Sequence, residues 1–258
     1  MMTMQFSVLG SGSRGNSVYI ETGRTAILID DGFSGKDIIA RMKAIGKDIQ
    51  DLDAIFVTHE HNDHIGGVGV LSRRCRLPVY ANQGTFRGGD GRLKELFKRC
   101  EFATGDTIEF QDFEIRSFRI SHDTSDPVGY VIGNGQSRLG YCTDTGKVSH
   151  LMQQRLRNCN GLILEFNHDL KMLAEGPYPL PLQQRVRSSQ GHLANGDAAA
   201  FLRELLHERL EHVVLAHLSE TNNLPDLAMN EARRIVPLES ISRMIIARQD
   251  IPTGLLSL

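Results

Sequence analysis

The sequence predicts an α/β (α+β) fold built as a four-layer αββα sandwich, and three observations lead there. Segments that alternate with period two interleave with helix-period segments in both halves of the chain, so two sheets need helices on their outer faces. The residues with metal-binding or acid–base chemistry fall at the ends of strand-like runs. No linker, repeat or low-complexity tract separates the halves, so residues 1–258 read as one domain.

Residues 5–10 read as a strand. The loop Gly10-Ser-Gly-Ser-Arg-Gly-Asn16 matches Gly-x-Gly-x-x-Gly, but a dinucleotide fold needs a helix directly afterwards. Instead, Val18-Tyr-Ile-Glu21, a Gly23-Arg24 turn and Ala26-Ile-Leu-Ile29 give a β-hairpin pattern, and the dinucleotide reading is rejected. The loop reads equally as a tight turn or as a nest of N–H groups that holds an anion, which makes Ser13 and Asn16 candidates for substrate binding. Asp30 ends the hairpin. Ser34 caps a helix with Ile38, Ile39, Met42 and Ile45 on its apolar face, closed by Gly46.

A buried strand is expected at Ile55-Phe-Val-Thr58, then a helix through Ile65, Val68 and Leu71, a short strand at 78–80 and a small amphipathic helix over 92–99. Strands follow at 107–110, 113–120, 128–132 and 138–142, with Asn134-Gly135 as a hairpin turn. A helix over 148–157 and a strand at Leu162-Ile-Leu-Glu165 come next. Residues 171–192 carry three prolines and read as a long loop. Asn195 caps a helix that runs through His207. Val213-Val-Leu215, a helix over 226–236 and a strand at Met244-Ile-Ile246 close the chain.

The chemistry centres on residues 59–64. Histidine is only 10 of 258 residues, yet His59, His61 and His64 fall within six positions together with Asp63. Imidazole and carboxylate donors suit borderline divalent ions such as Zn, Mn or Fe. A turn after a strand end aims His59 and His61 at one point and Asp63 and His64 at its neighbour. Two ions roughly 3.5–4 Å apart are therefore expected. The zincin pattern fails, because Asp63 stands four positions after His59 and the segment does not open as a helix. His122, Asp144 and His217 also follow strand ends. Asp144 is placed to bridge two ions, while Asp30 is placed to orient a ligand histidine from behind.

A net charge of −2 and 40% hydrophobic residues describe an ordinary globular enzyme without an overall nucleic-acid footprint. No apolar run approaches the ~20 residues of a membrane span. The absence of a signal-peptide pattern, with Cys75, Cys100, Cys142 and Cys159 widely spaced, leads us to expect a cytoplasmic protein with reduced thiols and no membrane partner.

These residues carry a resemblance. His59-x-His61-x-Asp63-His64, followed by lone His122, Asp144 and His217, resembles the metallo-β-lactamase superfamily. Within it the chain is similar to the YycJ/WalJ group of small phosphodiesterases over nearly its whole length. The shared stretches are Gly10–Asn16, Ile29-Asp-Asp-Gly32, Thr58–His64, Gly140-Tyr-Cys-Thr-Asp-Thr-Gly146, Glu165-Phe-Asn-His-Asp169, Gly176-Pro-Tyr-Pro179, Gly191-His192 and Leu215–Ser219. Asp31 stands where the resemblance leads one to expect a small residue.

The resemblance implies that His59, His61 and His122 bind one ion and Asp63, His64 and His217 the other, with Asp144 between them. A shared water acidified by the ions would attack phosphorus. Asn167, His168 and His192 are then candidates for binding phosphate, and His168 or His192 for protonating the leaving group. The implied activity is a DNA exonuclease of the 5′-to-3′ type. The competing reading is hydrolysis of a small cyclic phosphodiester, thioester, lactone or lactam on the same ions. A di-iron redox protein is disfavoured, because His61 stands where that class uses an acid.

Overall fold

A computed structural model describes residues 3–237 and 243–258, and in it two sheets pack face to face with helices outside. The first sheet carries, in spatial order, β1 (Gln5–Gly10), β2 (Ser17–Glu21), β3 (Ala26–Ile29), β4 (Ala54–Phe56), β5 (Pro78–Asn82) and β6 (Lys98–Phe102). The second sheet carries β7 (Thr107–Phe110), β8 (Phe113–Arg119), β9 (Val128–Gly133), β10 (Arg138–Cys142), β11 (Gly161–Glu165), β12 (His212–Ala216) and β13 (Met244–Ile246). β14 (Leu256–Ser257), which the sequence pattern did not indicate, pairs with the outer edge of β1.

Each sheet begins antiparallel and turns parallel. β1, β2 and β3 pair antiparallel, then β3 to β6 run parallel. β7 to β10 pair antiparallel, then β10 to β13 run parallel. Carboxyl ends of parallel strands are where open α/β sheets gather ligands. Here the two sets of ends meet along one edge of the sandwich.

The layers follow from strand alternation. In β3, Ile27 and Ile29 face the second sheet while Leu28 faces the helices. The inter-sheet core holds Phe6, Phe56, Phe113, Tyr130 and Ile163. Phe56 stacks on Tyr80 at 4.6 Å and meets Tyr130 edge-on at 6.3 Å. The Tyr130 hydroxyl donates to the Val57 carbonyl at 2.6 Å, tying the sheets together just before the histidine cluster. Outside the first sheet lie α1 (Gly35–Ala44), α2 (Asn62–Ile65), α3 (Val68–Cys75) and α4 (Gln83–Leu93). α5 (His150–Leu156), α6 (Leu170–Glu175), α7 (Leu180–Arg187), α8 (Asn195–Leu205) and α9 (Pro225–Ile235) follow in the second half. Of these, α5, α8 and α9 cover the second sheet through Met152, Phe201 and Ala228. As the sequence implied, Ser34 caps α1, its hydroxyl accepting from Asp37 N.

Four elements differ from the sequence reading. The helix expected through Ile65, Val68 and Leu71 is broken at Gly66-Gly67 into α2 and α3. The helix expected over 92–99 is instead α4, nine residues earlier in its start, followed by the edge strand β6. Asn82 caps α4 by accepting from Thr85 N at 2.8 Å. Of its glycines, which argue against a helix locally, Gly88 lies against the histidine turn: a Cβ there would stand 2.5 Å from Glu60 Oε1. Tertiary contact overrides propensity. The long loop expected over 171–192 contains α6 and α7, with Pro179 and Pro181 at the start of α7, where a missing N–H costs nothing. The helix after Asn195 takes Ala194 as its N-cap and ends at Leu205.

A Cβ on Gly32 would lie 1.8 Å from the Asp63 carbonyl oxygen. Gly32→Ala is therefore expected to destabilise the chain by about 1–3 kcal/mol in denaturant melts and to weaken divalent-ion binding by shifting the turn that carries Asp63. A wild-type melt with wild-type ion affinity would contradict this packing.

Candidate metal centre

Local backbone geometry aims the cluster. Asp30, Asp144 and His217 each follow a parallel strand with left-handed φ values of 59°, 60° and 54°. Asp and His tolerate that region better than most residues, and strain held this way concentrates at functional sites. After β4 the chain runs through His59 to His61, which caps α2, so Asp63 and His64 sit on its first turn.

The side chains converge in two groups. One ring nitrogen each from His59, His61 and His122 lie within 4.8 Å of one another, with His122 Nε2 3.2 Å from His61 Nδ1. Asp63, His64, Asp144 and His217 form the second group on the same criterion. Asp144 stands at the centre, with Oδ2 3.3 Å from His64 Nε2 and Oδ1 3.3 Å from His217 Nε2 and 4.0 Å from His122 Nε2. All seven residues singled out from the sequence thus come together.

The outward nitrogens are fixed from behind. His64 Nδ1 lies 2.8 Å from Asp30 Oδ2, and both Asp30 oxygens also accept from Thr58, through its N–H and its hydroxyl. His122 Nδ1 donates to the Gly191 carbonyl at 3.1 Å, and His217 Nδ1 to Glu165 Oε1 at 3.1 Å. In each case Nε2 is left facing the cluster. Among the described residues, His59 Nε2, Asp144 Oδ2 and His217 Nε2 are buried without a hydrogen-bond partner. Polar atoms converging unpartnered in the interior are costly, and a cation that displaces the protons on the histidines satisfies them together. The donor set fits divalent ions.

Other sequence candidates occupy different places. Asn16, buried, lies 3.1 Å from His64 Nε2 and donates to Asp63 Oδ2 at 3.2 Å, while its Oδ1 accepts from Gly12 N. It braces the turn from the glycine loop. Asn167 donates to the His217 carbonyl at 3.0 Å. Ser13 is exposed at the loop tip. His168 is 1% exposed, with neither ring nitrogen hydrogen-bonded, and burial pushes it down to about 4. His192 is partly exposed and packs between the groups, its ring 5.0 Å from that of His122 and 5.2 Å from that of His217.

A family model described as "Beta-lactamase superfamily domain" matches residues 25–218. The chain belongs to the metallo-β-lactamase superfamily. It is a metal-dependent hydrolase. It is 39% identical over 237 residues to Exodeoxyribonuclease YycJ of Bacillus anthracis, covering 91% of this chain and 90% of that one. It is 40% identical over 229 residues to Exodeoxyribonuclease WalJ of Streptococcus pneumoniae, covering 87% and 85%. Among solved structures, the metallo-β-lactamase fold protein YhfI of Bacillus subtilis superposes over the full length of both chains with a TM-score of 0.78 at 17% identity, a likeness of fold.

One residue of this superfamily member's site escaped the sequence reading. Glu165, 1% exposed, ends β11 and accepts from His192 Nδ1 at 2.7 Å and His217 Nδ1 at 3.1 Å. Its other oxygen takes Thr145 N and Leu193 N, both at 3.0 Å. Glu165 thus orients two histidines, and with Asp144, His192 and His217 it makes a third group of donors within 4.8 Å of one another. The available signal was a lone acid closing an apolar strand, the position Asp30 holds after β3. Asp31 is also fully buried, and burial pushes its carboxyl well up.

The site's own charges set a pH dependence for the metal-free chain. Burial opposes charge on His217, but Asp144, Asp63 and Glu165 outweigh it and raise His217 from 6.5 to about 10. His64 is likewise raised, its burial overcome by Asp144, Asp30 and Asp63. Glu165, despite burial, is lowered from 4.5 to about 2 by His192 and His217. A raised histidine stabilises fully below its unfolded value and loses that stability as pH climbs through the folded one; a lowered acid does the reverse. Burial lowers His59, His122 and His168, the last to about 4, so these three cost stability as pH falls below 6.5. The stripped protein should melt highest near pH 6.5 and lose stability both toward pH 10 and toward pH 2. Added Zn²⁺ or Mn²⁺ should raise the melting temperature more at pH 8 than at pH 6, because ligation displaces protons. A metal-free melting temperature that rises steadily from pH 6 to pH 9 would contradict the assignment.

Proposed function

We propose that this chain is a two-metal DNA exonuclease of the 5′-to-3′ type. The observation that carries the reading is the near-full-length similarity to two proteins named exodeoxyribonucleases, together with the doubled donor set around Asp144. His59, His61 and His122 would hold one divalent ion, Asp63, His64 and His217 the other, with Asp144 shared. When bound, such ions supply Lewis acidity to a phosphoryl oxygen and lower the pKa of water at the site toward ~7.

The chain's own residues do the rest. Asp30, Glu165 and the Gly191 carbonyl hold three histidines with Nε2 forward, so no reorganisation accompanies ligand binding. His192 keeps Nδ1 on Glu165 and is partly exposed, which suits Nε2 for proton delivery to the departing oxygen. His168, being buried, is left to packing. A cleft of about 500 Å³ is lined by His122, Arg119, Lys147 and Gln190, with Arg119 paired to Asp126 and Lys147 left as a cation for a phosphate backbone.

End-labelled DNA with added Mn²⁺ or Zn²⁺ tests the reading. Stepwise loss from the 5′ end is expected, and Asp63→Ala should abolish it. Random internal cuts, or loss from the 3′ end, would overturn the exonuclease type or its direction, and no cleavage would return the case to a small phosphodiester substrate.

His192→Ala should lower kcat on DNA by about 10²–10⁴-fold at unchanged metal content. On a nucleoside p-nitrophenyl phosphodiester, whose leaving group needs no proton, the loss should be far smaller. Equal losses on both substrates would remove His192 from the proton-transfer role.

A further inference from the structure

α7 and the loop after it form one wall of the site, and that wall is fastened down. Ser121 Oγ donates to the Ser189 carbonyl at 2.7 Å, next to the bond from His122 Nδ1 to the Gly191 carbonyl. From α7, Arg185 reaches back to the metal centre through Asp123. Its Nε donates to Asp123 Oδ2 at 2.6 Å, while Asp123 Oδ1 lies 3.6 Å from His122 Nε2 and 3.8 Å from His61 Nε2. Asp123 and Arg185 support each other: despite partial burial, the Asp123 carboxyl is held below its usual range by Arg185 and His122.

Among the described residues, the terminal Nη1 and Nη2 groups of Arg185 make no hydrogen bond and no ion pair, and the side chain is about half exposed at 52%. A guanidinium anchored at Nε with its terminal fork open is arranged for two parallel hydrogen bonds to a phosphate or carboxylate. Anchoring by a carboxylate lowers the entropy lost on binding. Asp123 stands between Nε of Arg185 and the histidines His61 and His122, which places the fork for a phosphate beside the one under attack. We propose that Arg185 binds the phosphate next to the scissile one and thereby selects a polynucleotide strand over a single phosphodiester. The proposal rests on the nuclease reading above and names the residue that gives that site its strand specificity. Arg185 is a binding and specificity residue, and Asp123 positions it.

The test is a cycle between protein and substrate. Two modified single strands are used, one with a neutral methylphosphonate at the linkage 3′ to the bond cleaved first and one with a 5′-hydroxyl in place of the 5′-phosphate. On these and the unmodified strand, kcat/KM is measured for wild type, Arg185→Ala and Arg185→Lys. The wild type should lose about 10- to 100-fold on one of the two modified strands, the scale of a charged hydrogen-bonded contact. Arg185→Ala should lose as much on the unmodified strand and nothing further on that modified one. Arg185→Lys, which keeps the charge without the fork, should fall between. In equilibrium binding of metal-free protein to the strand, Arg185→Ala should reduce the slope of log K against log salt by about one.

Losses that multiply, as a merely bracing Arg185–Asp123 pair would give, overturn the proposal. So does wild-type cleavage and salt dependence in Arg185→Ala. If the wild type itself leaves the unmodified strand intact, the nuclease reading fails and takes this proposal with it, a result distinct from the other two.

Discussion

The contact between Asp144 and His64, 3.3 Å across the seam between the two sheets, is the one on which the rest of the site depends. His64 comes from the first sheet's edge and Asp144 and His217 from the second, so neither half can build the centre alone. The contact requires the carboxyl ends of β3, β4, β10, β11 and β12 to lie along a common edge, and the topology delivers that by turning each sheet from antiparallel to parallel. It also requires left-handed backbone at Asp30, Asp144 and His217, at a cost of about 1–3 kcal/mol each. The aromatic stack of Phe56 and Tyr80, with Tyr130 edge-on and bonded to Val57, holds the sheets at the spacing the contact needs.

A chain that buries Asp30, Asp144, Glu165, His59, His64, His122 and His217 gives up much hydration. Part is recovered by hydrogen bonds from behind, and part by the attraction that holds the Asp144 carboxyl, though buried, well below its usual range beside His217 and His64. Exchanging a buried ion pair for hydrophobic packing is often neutral or stabilising, so such a cluster is weak evidence for stability and stronger evidence for function. Ligation replaces proton-mediated pairing by metal-mediated pairing, and therefore couples metal affinity, pH and folding.

Much of this was legible in the sequence because two periodicities and one motif carry it. The apolar run of β3 and the alternation of β8 marked the sheets, and the donors at 59–64 marked the centre, with His122, Asp144 and His217 joining through their shared position after strands. What was hidden depended on contacts distant in sequence. The glycine-rich segment that forms α4 carries no helical pattern of its own, and Gly88 is packed against Glu60. The prolines after 176 read as irregular until they were seen to begin α7. Glu165 looked like a strand terminus, and the Arg185–Asp123 pair spans 62 positions, beyond the reach of any local pattern. Asn16 and Asn167 were assigned to substrate from their loops, whereas their hydrogen bonds run to the turn of Asp63 and to His217.

The central claim is a paired centre with one carboxylate common to both halves. Equilibrium dialysis of the stripped chain against Zn²⁺ or Mn²⁺, with ions counted per chain, tests it most directly. The account predicts two ions for the wild type, one for His122→Ala, and weakened binding at both positions for Asp144→Asn. A single ion in the wild type, or an Asp144→Asn chain that holds two ions at wild-type affinity, would contradict it.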